Sequence, residues 1–137
     1  MWWTYALLAA VFAALTAVFA KVGLKGISSD LATAIRTVII LILAWAIVFY
    51  KGEWRGWQQL SRQNIVFLVL SGLATGLSWI FYFKALSLGK VSQVAPVDKL
   101  SVALAIILSV LFLGESVDWK TLLGAGLIIT GTIVLIL

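Results

Sequence analysis

Six side chains able to bind a ligand or a proton lie within stretches of sequence that are otherwise apolar: Arg36, Ser78, Trp79, Tyr82, Asp98 and Lys99. A charged side chain at the centre of a bilayer costs about 2.5–3.5 kcal/mol on insertion scales, so such residues usually face a partner or a water-filled cavity. Arginine and lysine donate hydrogen bonds to anionic groups, and a carboxylate can take up a proton. These residue types predict a polar binding path in apolar surroundings.

The segment APVDKLS, residues 95–101, places a proline, an acid and a base together. Neighbouring residues of a helix point about 100° apart. We therefore expect Asp98 and Lys99 to pair poorly, with one bound elsewhere and the other facing a cavity. Pro96 removes a backbone donor, which we expect to disturb the first turn of its helix and free a carbonyl. The pattern fits an interrupted helix of a transport site, and it equally fits an ordinary interfacial helix start.

The chain contains no cysteine and no histidine. Disulfides, thiol chemistry and the usual zinc or iron sites are therefore excluded, and we expect no metal and no cofactor. Proton-linked chemistry would fall to the five carboxylates, among which Asp98 is the proton-coupling candidate. We find no phosphate-binding glycine loop, no nucleophile paired with a base and no carboxylates at helical spacing. The sequence does not predict an enzyme.

Arg36 lies six residues into the second apolar segment, and Asp98 lies six residues past Ser92 in the fourth. Six residues correspond to about 9 Å along a helix. Because the second and fourth helices would run in the same direction, both charges would lie near the same face of the membrane. An Arg36–Asp98 ion pair is therefore possible, and it would explain both residues without any transport.

The third apolar segment carries polar side chains at the spacing of one helical face, namely Ser71, Thr75, Ser78 and Tyr82. Small and hydroxylated residues of membrane helices allow close packing and hydrogen bonds between helices. For Ser78, Tyr82 and the neighbouring Trp79, lining of a polar cavity is an equally good interpretation. For the glycines of the third and last segments we expect packing: Gly72, Gly76, Gly124, Gly126 and Gly131.

The composition indicates that much of the protein surface faces lipid rather than water. Hydrophobic residues make up 64% of the 137 residues and charged residues 11%, whereas about a quarter of the residues of a soluble domain are charged. A bilayer requires about 20 helical residues per span. We predict an all-α integral membrane protein, a single domain over residues 1–137, with five antiparallel transmembrane helices at about 2–22, 31–50, 64–86, 92–114 and 119–137. The first is expected to be a retained helix rather than a signal peptide, and Asp30 is expected to cap the second.

The charge balance bears on partners and orientation. A net charge of +5 with dispersed basic residues indicates contact with acidic lipid headgroups and no nucleic-acid surface. Interfacial aromatic residues would all lie on one side of a five-helix arrangement: Trp2, Trp3, Tyr5, Tyr50, Trp54, Trp57 and Trp119. Lysine and arginine are nearly balanced between the two sides, so the positive-inside rule predicts only a weak preference for one membrane orientation. Either the amino terminus is cytoplasmic or the protein inserts in both orientations.

Residues 81–137 combine an aromatic helix end, the turn ALSLG, the start VAPVDKLS, a helix closed by LFLGE and the glycine-rich GAGLIITG. This ordered combination resembles the EamA domain of the drug/metabolite transporter superfamily, in its small single-domain form. FAKVGLKGISSDLATAIRT resembles the first turn and second helix of the same group, so the likeness covers the whole chain.

The resemblance implies a five-helix unit that carries small solutes across the cell (inner or cytoplasmic) membrane. Most members hold two such units in one chain, the second inverted, whereas this sequence holds one. A homodimer that imitates the ten-helix form would have to be antiparallel, since inverted repeats with a midplane site are a general transporter design. The expected function is secondary transport of a small organic metabolite.

Two further functions remain open from the sequence. Four basic residues at or near membrane depth face one acid, Asp98, which favours an anion and hence a flippase for a lipid-linked anionic headgroup: Lys21, Arg36, Lys84 and Lys99. Glycine and serine stripes would also suit a non-catalytic subunit that docks on another membrane protein. The substrate, the coupling ion and the direction of transport are not specified by the sequence.

Overall fold

The computed structural model describes residues 1–137 and is helical throughout. Its elements in chain order are α1 (Trp2–Gly23), α2 (Ser29–Tyr50), a 3-10 helix (Glu53–Gln59), α3 (Arg62–Leu88), α4 (Val91–Asp98), α5 (Leu100–Leu108), a π-helical segment (Ser109–Leu113) and α6 (Trp119–Ile136). Five helical stretches are long and apolar enough to cross a membrane, with α4, α5 and the π-helical segment forming one of them. The chain is thus an all-α, multi-pass membrane protein, as predicted, and the ends of each span lie within two residues of the prediction.

The chain forms two compact units. The central unit comprises Phe19–Ser87, and the terminal unit comprises Met1–Val18 with Leu88–Leu137. The end of α1, α2, the 3-10 helix and nearly all of α3 belong to the central unit. The terminal unit holds most of α1 together with α4, α5, the π-helical segment and α6.

The buried residues of the central unit come from the end of α1, the start of α2 and the last turns of α3: Ala20, Leu24, Ser29, Ala32, Thr33, Phe83 and Leu86. The last carbonyls of a helix have no partner within the helix and must be satisfied from outside. Here the Lys21 ammonium donates to the Leu86 carbonyl at 2.5 Å, and a cation at this end also complements the dipole of α3. The side chain of Lys21 therefore fastens the end of α1 to the end of α3.

The start of α2 differs from the prediction. Ser28, and not Asp30, is the N-cap: its backbone is extended and its hydroxyl accepts the N–H of Leu31 at 3.2 Å. Asp30 lies within the first turn of the helix, where its charge faces the positive end of the helix dipole. Three consecutive residues here, Ser28, Ser29 and Asp30, have side chains suited to capping, and the extended backbone at Ser28 selects that residue.

The polar break after α2 contains a 3-10 helix that the sequence analysis did not predict. Gly52 begins it with a positive φ of 72°, a conformation that glycine adopts without steric cost. The indole of Trp57 then lies 6.4 Å from that of Trp45, which in turn lies 5.6 Å from Phe49, measured between ring centroids. The Trp45–Trp57 pair joins the 3-10 helix to α2, while the Trp45–Phe49 contact lies within α2.

The fourth span is interrupted twice. Pro96 is the sixth residue of α4 and not part of its first turn, and the break follows at Lys99, between α4 and α5. The π-helical segment then ends at Gly114, whose φ is 67°. The predicted extent of the fourth span, 92–114, is confirmed within one residue at each end, and of the two interpretations of its proline-marked start the structure shows the interrupted helix. Proline inside a helix lacks the N–H that the carbonyl four residues earlier, here that of Ser92, would accept, and its ring bends the helix.

Asp118 caps α6 and lies in the connection outside the spans. One oxygen of its carboxylate accepts the Thr121 hydroxyl at 2.5 Å and the Thr121 N–H at 2.9 Å. These hydrogen bonds favour the ionised form and hold the pKa of Asp118 below its ordinary value. Because the folded-state pKa is lowered, the stabilisation by this cap is present at neutral pH and is lost as the pH falls through the lowered value.

The span lengths are unequal. α3 has 27 residues and α6 has 18, which at 1.5 Å per residue correspond to about 40 Å and about 27 Å. The hydrocarbon core of a bilayer is about 30 Å thick. The first residues of α3, Arg62, Gln63 and Asn64, are polar, so part of its excess length suits the interface.

Leu86 and Leu88 provide a matched test of this packing, since Leu86 is 0% exposed and Leu88 is 80% exposed in the same last turn of α3. Leu86→Ala should lower the free energy of unfolding by about 2 kcal/mol, the low end of the range for buried leucines, because in lipid the loss of packing contacts dominates. Leu88→Ala should change it by less than about 0.5 kcal/mol. Reversible unfolding in mixed micelles measures both; equal effects would show that the Leu86 site is not a packed core.

Candidate functional site

The predicted site residues lie in two clusters, one in each unit. The central cluster contains Arg36 of α2 with the aromatic residues Trp79, Tyr82 and Phe83 of α3. The terminal cluster contains Pro96, Asp98 and Lys99 at the α4–α5 break, with Thr132 of α6. Each cluster combines one helix that carries charge with a second helix that positions it.

In the central cluster, aromatic rings cover the Arg36 guanidinium. Its Cζ lies 4.2 Å from the ring centroid of Phe83 and 6.0 Å from that of Trp79. Tyr82 meets Phe83 edge to face, with centroids 5.5 Å apart, and Phe83 is only 1% exposed. A guanidinium over an aromatic face gains about 0.5–1 kcal/mol at exposed sites and about 2 kcal/mol when desolvated. This contact holds the charge of Arg36 in place and leaves its N–H groups free for hydrogen bonds.

One of those N–H groups is unsatisfied. Nη1 of Arg36 is buried and has no hydrogen-bond partner. Leaving a buried donor unpaired costs about 1–3 kcal/mol, and more when the group is charged. The aromatic faces interact with the charge but do not accept this N–H in the way that an oxygen does. An oxygen of an anionic or strongly polar ligand would complete the coordination of Arg36.

The polar face predicted on α3 is only partly assembled around Arg36. Trp79 and Tyr82 are partly buried in the central cluster, whereas Ser78 is exposed. Earlier in the helix, the exposed Thr75 donates to the carbonyl of Ser71 at 2.9 Å. Its hydroxyl is thus used within α3, a common bond for a hydroxylated residue inside a helix.

In the terminal cluster, Asp98 and Lys99 form an ion pair, contrary to the prediction that adjacent residues would pair poorly. The Lys99 ammonium lies 3.2 Å from Oδ2 of Asp98, and the two side chains are 54% and 34% exposed. Lys99 itself keeps right-handed helical dihedrals, with φ −72° and ψ −8°, so the pairing comes from the reach of its side chain. The long lysine side chain is then able to fold back onto its neighbour.

The break itself is held by hydrogen bonds to the Pro96 carbonyl. This oxygen accepts the N–H of Lys99 at 3.0 Å, three residues along the chain. It also accepts the hydroxyl of Thr132 at 3.2 Å. Thr132 is 3% exposed and shares its hydroxyl with the carbonyl of Ile128 at 2.8 Å. Both partners of the Pro96 carbonyl thus lie outside α4, one at the break and one on α6.

Phe83 and Thr132 were missed from the sequence. Phe83 lies four residues after Trp79, so the shared helical face was readable, but an aromatic residue among apolar ones carries no sign of a cationic neighbour. Thr132 was visible as a hydroxyl among the apolar residues of α6, although its partner 36 residues away was not. The Arg36–Asp98 pair joins residues of different units and stays a prediction.

No cluster of metal-ligating side chains is present. The structure groups no three residues among histidine, cysteine, aspartate and glutamate that could hold a metal ion. What the two clusters can do chemically is bind charge, because they offer one unsatisfied guanidinium and one partly exposed ion pair.

The chain matches the EamA-like transporter family over residues 1–137. It is 52% identical, over 134 residues, to a protein of Sinorhizobium sp. named "Uncharacterized transporter in cobO 3'region"; the match covers 98% of this chain and 95% of that protein. No solved structure matches it.

The packing of Arg36 on Phe83 can be measured by a double-mutant cycle with Arg36→Gln and Phe83→Leu. We expect a coupling free energy of about 1–2 kcal/mol in unfolding experiments, because the contact is short and the ring is buried. The matched control is Arg55 over Trp54, at 5.5 Å with the ring 50% exposed, which should couple by less than about 1 kcal/mol. A central coupling no larger than that of the control would contradict the assignment.

Proposed function

Because the chain belongs to the EamA-like transporter family, we propose that it is a secondary transporter of a small organic metabolite with an anionic or strongly polar group. It would act by alternating access in the cytoplasmic (inner) membrane of a prokaryote. The observation that carries this proposal is the Asp98–Lys99 ion pair at the interruption of the fourth span. Interrupted helices with charged groups at partial depth are characteristic of transport sites.

The ion pair supplies a mechanism for coupling. While Asp98 is ionised it holds the ammonium of Lys99 at 3.2 Å. Protonation of Asp98 removes the attraction and leaves Lys99 to meet an anionic oxygen of the substrate. Proton binding and substrate binding then favour each other, as thermodynamic linkage requires. Asp98 is the proposed proton-responsive group, and Lys99 is the proposed substrate-binding group of the terminal cluster.

Arg36 is the second proposed substrate-binding group. Its unsatisfied Nη1 suits an anionic or polar oxygen, and Phe83 and Trp79 keep the guanidinium from turning away. Tyr82, beside Phe83, and Ser78, one residue before Trp79, would contribute hydroxyls to the same pathway. Arginine suits this role better than lysine because its planar fork keeps several donors in fixed directions.

We propose that a single EamA-like domain, residues 1–137, works as an antiparallel homodimer. The glycines of α3 and α6 support this, because a Cβ added at each of them would meet no atom within 4 Å: Gly72, Gly76, Gly124, Gly126 and Gly131. The packing expected for these glycines is therefore not made inside the chain. Small-residue faces allow close approach of membrane helices, and a second copy would supply the helices to cover them.

Arg36 also favours the second candidate function, a flippase for a lipid-linked anionic headgroup. An unsatisfied guanidinium N–H binds a phosphate or carboxylate oxygen equally well whether the anion is free or attached to a lipid. Lipid that copurifies with the protein, and is lost in Arg36→Gln, would support this function over transport of a water-soluble metabolite.

Transport can be tested in proteoliposomes with an imposed proton gradient and a panel of radiolabelled small organic acids and amines. The probe is the compound whose uptake requires the protein. We expect Asp98→Asn to abolish proton-dependent uptake and Lys99→Gln to lower uptake at least about ten-fold, the effect of losing one charge-assisted hydrogen bond. Lys120→Gln, at an exposed position in the first turn of α6, is the matched control and should transport normally. Full activity of both site variants would overturn the assignment.

Dual insertion can be tested separately with single cysteines, since the chain contains none. Ile27→Cys and Gly56→Cys lie beyond opposite ends of α2, and both positions are exposed. Gly26 and Gly52 are avoided, because their positive φ would strain a cysteine. If the homodimer is antiparallel, an impermeant maleimide added to intact cells should label about half of each variant, in line with an unbiased lysine and arginine balance. Labelling of one variant alone would eliminate the antiparallel dimer.

A further inference from the structure

Thr132 is the feature of the terminal unit that the proposed mechanism has not used. It is 3% exposed, lies in the last part of α6, and directs its hydroxyl at the Pro96 carbonyl of α4, 3.2 Å away. Pro96 lies two residues before Asp98 and three before Lys99. The hydroxyl therefore acts on the backbone immediately before the ion pair. Its hydrogen bonds go to carbonyl oxygens and to neither charged side chain.

The hydrogen bonds of the Pro96 carbonyl explain why its partner matters. In an uninterrupted helix this oxygen would accept the N–H of Leu100, four residues on. Here it accepts the N–H of Lys99 at 3.0 Å and the hydroxyl of Thr132. A carbonyl oxygen has two lone pairs, so both are in use. The N–H of Leu100 would have to compete with Thr132 for this oxygen before α4 and α5 could join.

We propose that Thr132 is a positioning residue, which holds the α4–α5 break open and thereby presents Asp98 and Lys99 to the substrate. The role in transport rests on the proposed function, whereas the role at the break is independent of it. Removal of the hydroxyl frees one lone pair of the Pro96 carbonyl and lets the two helices join. The ion pair then loses the geometry on which proton and substrate binding depend.

α6 provides a matched control for this residue. Thr130, two positions earlier, donates to the carbonyl of Gly126 at 2.8 Å, as Thr132 does to that of Ile128 at the same distance. Thr130 is exposed and makes no hydrogen bond to α4. Thr130→Val therefore removes the bond within α6 alone, whereas Thr132→Val also removes the bond between helices. Thr132→Ser keeps the hydroxyl and serves as the conservative variant.

The single proline of the sequence makes the bond directly observable. Protein labelled with carbonyl-¹³C proline gives one carbonyl resonance, that of Pro96, by solid-state NMR in bilayers. We expect Thr132→Val to shift this resonance, and Thr132→Ser and Thr130→Val to leave it in place. An unchanged resonance in Thr132→Val would overturn the proposal, because the hydrogen bond would then be absent from the wild-type protein.

Uptake of the same transported probe in proteoliposomes tests the role of the bond. Thr132→Val should lower uptake about two- to ten-fold, the equivalent of one hydrogen bond, and displace its pH profile, which a purely structural role would not do. Thr132→Ser should restore both. A shifted resonance with unchanged uptake and pH profile would refute the positioning role. If Asp98→Asn is also fully active, the proposed function fails while the role of Thr132 at the break stands.

Discussion

The constraint on which the structure depends is that lipid offers no hydrogen bonds to the backbone. Three helix ends and the interruption of the fourth span take hydrogen-bond partners from the side chains of the protein itself. Ser28 and Asp118 cap the starts of α2 and α6. Lys21 satisfies a carbonyl at the end of α3. At the interruption of the fourth span, Thr132 of another helix performs the same task. Nη1 of Arg36 is the one buried side-chain polar atom that remains without a hydrogen-bond partner.

The two clusters accommodate charge within apolar spans differently. In the terminal cluster, opposite charges neutralise each other at a break in the helix, where the backbone is already irregular. In the central cluster, aromatic faces stabilise the cation, and one of its donors is left without an acceptor. The first arrangement pairs both charges within the chain. The second is the one that an oxygen of the proposed ligand would complete.

The sequence predicted the spans well because the length and apolar character of a membrane helix are set by the bilayer rather than by its neighbours. Features that depend on backbone conformation or on contacts between helices were harder to predict from the sequence. The choice of Ser28 over Asp30 as cap depends on one extended residue. The Asp98–Lys99 pair depends on the side-chain conformation of Lys99, and the nearby break is one that a proline signals but does not locate. Phe83 and Thr132 act through partners on other helices, so no local pattern reveals their roles. The residues that bind charge could therefore be identified from the sequence, whereas the residues that position them were found only in the three-dimensional structure.

The length of α3 makes the surrounding lipid part of the problem. A span of about 40 Å in a hydrocarbon layer of about 30 Å has to tilt, project into the headgroups or thicken the layer around it. Each adjustment costs fractions of a kcal/mol per ångström of hydrophobic mismatch. The preferred orientation of α3, which carries Trp79 and Phe83 against Arg36, is thereby tied to acyl-chain length, and the composition of the surrounding bilayer becomes a determinant of how that guanidinium is covered.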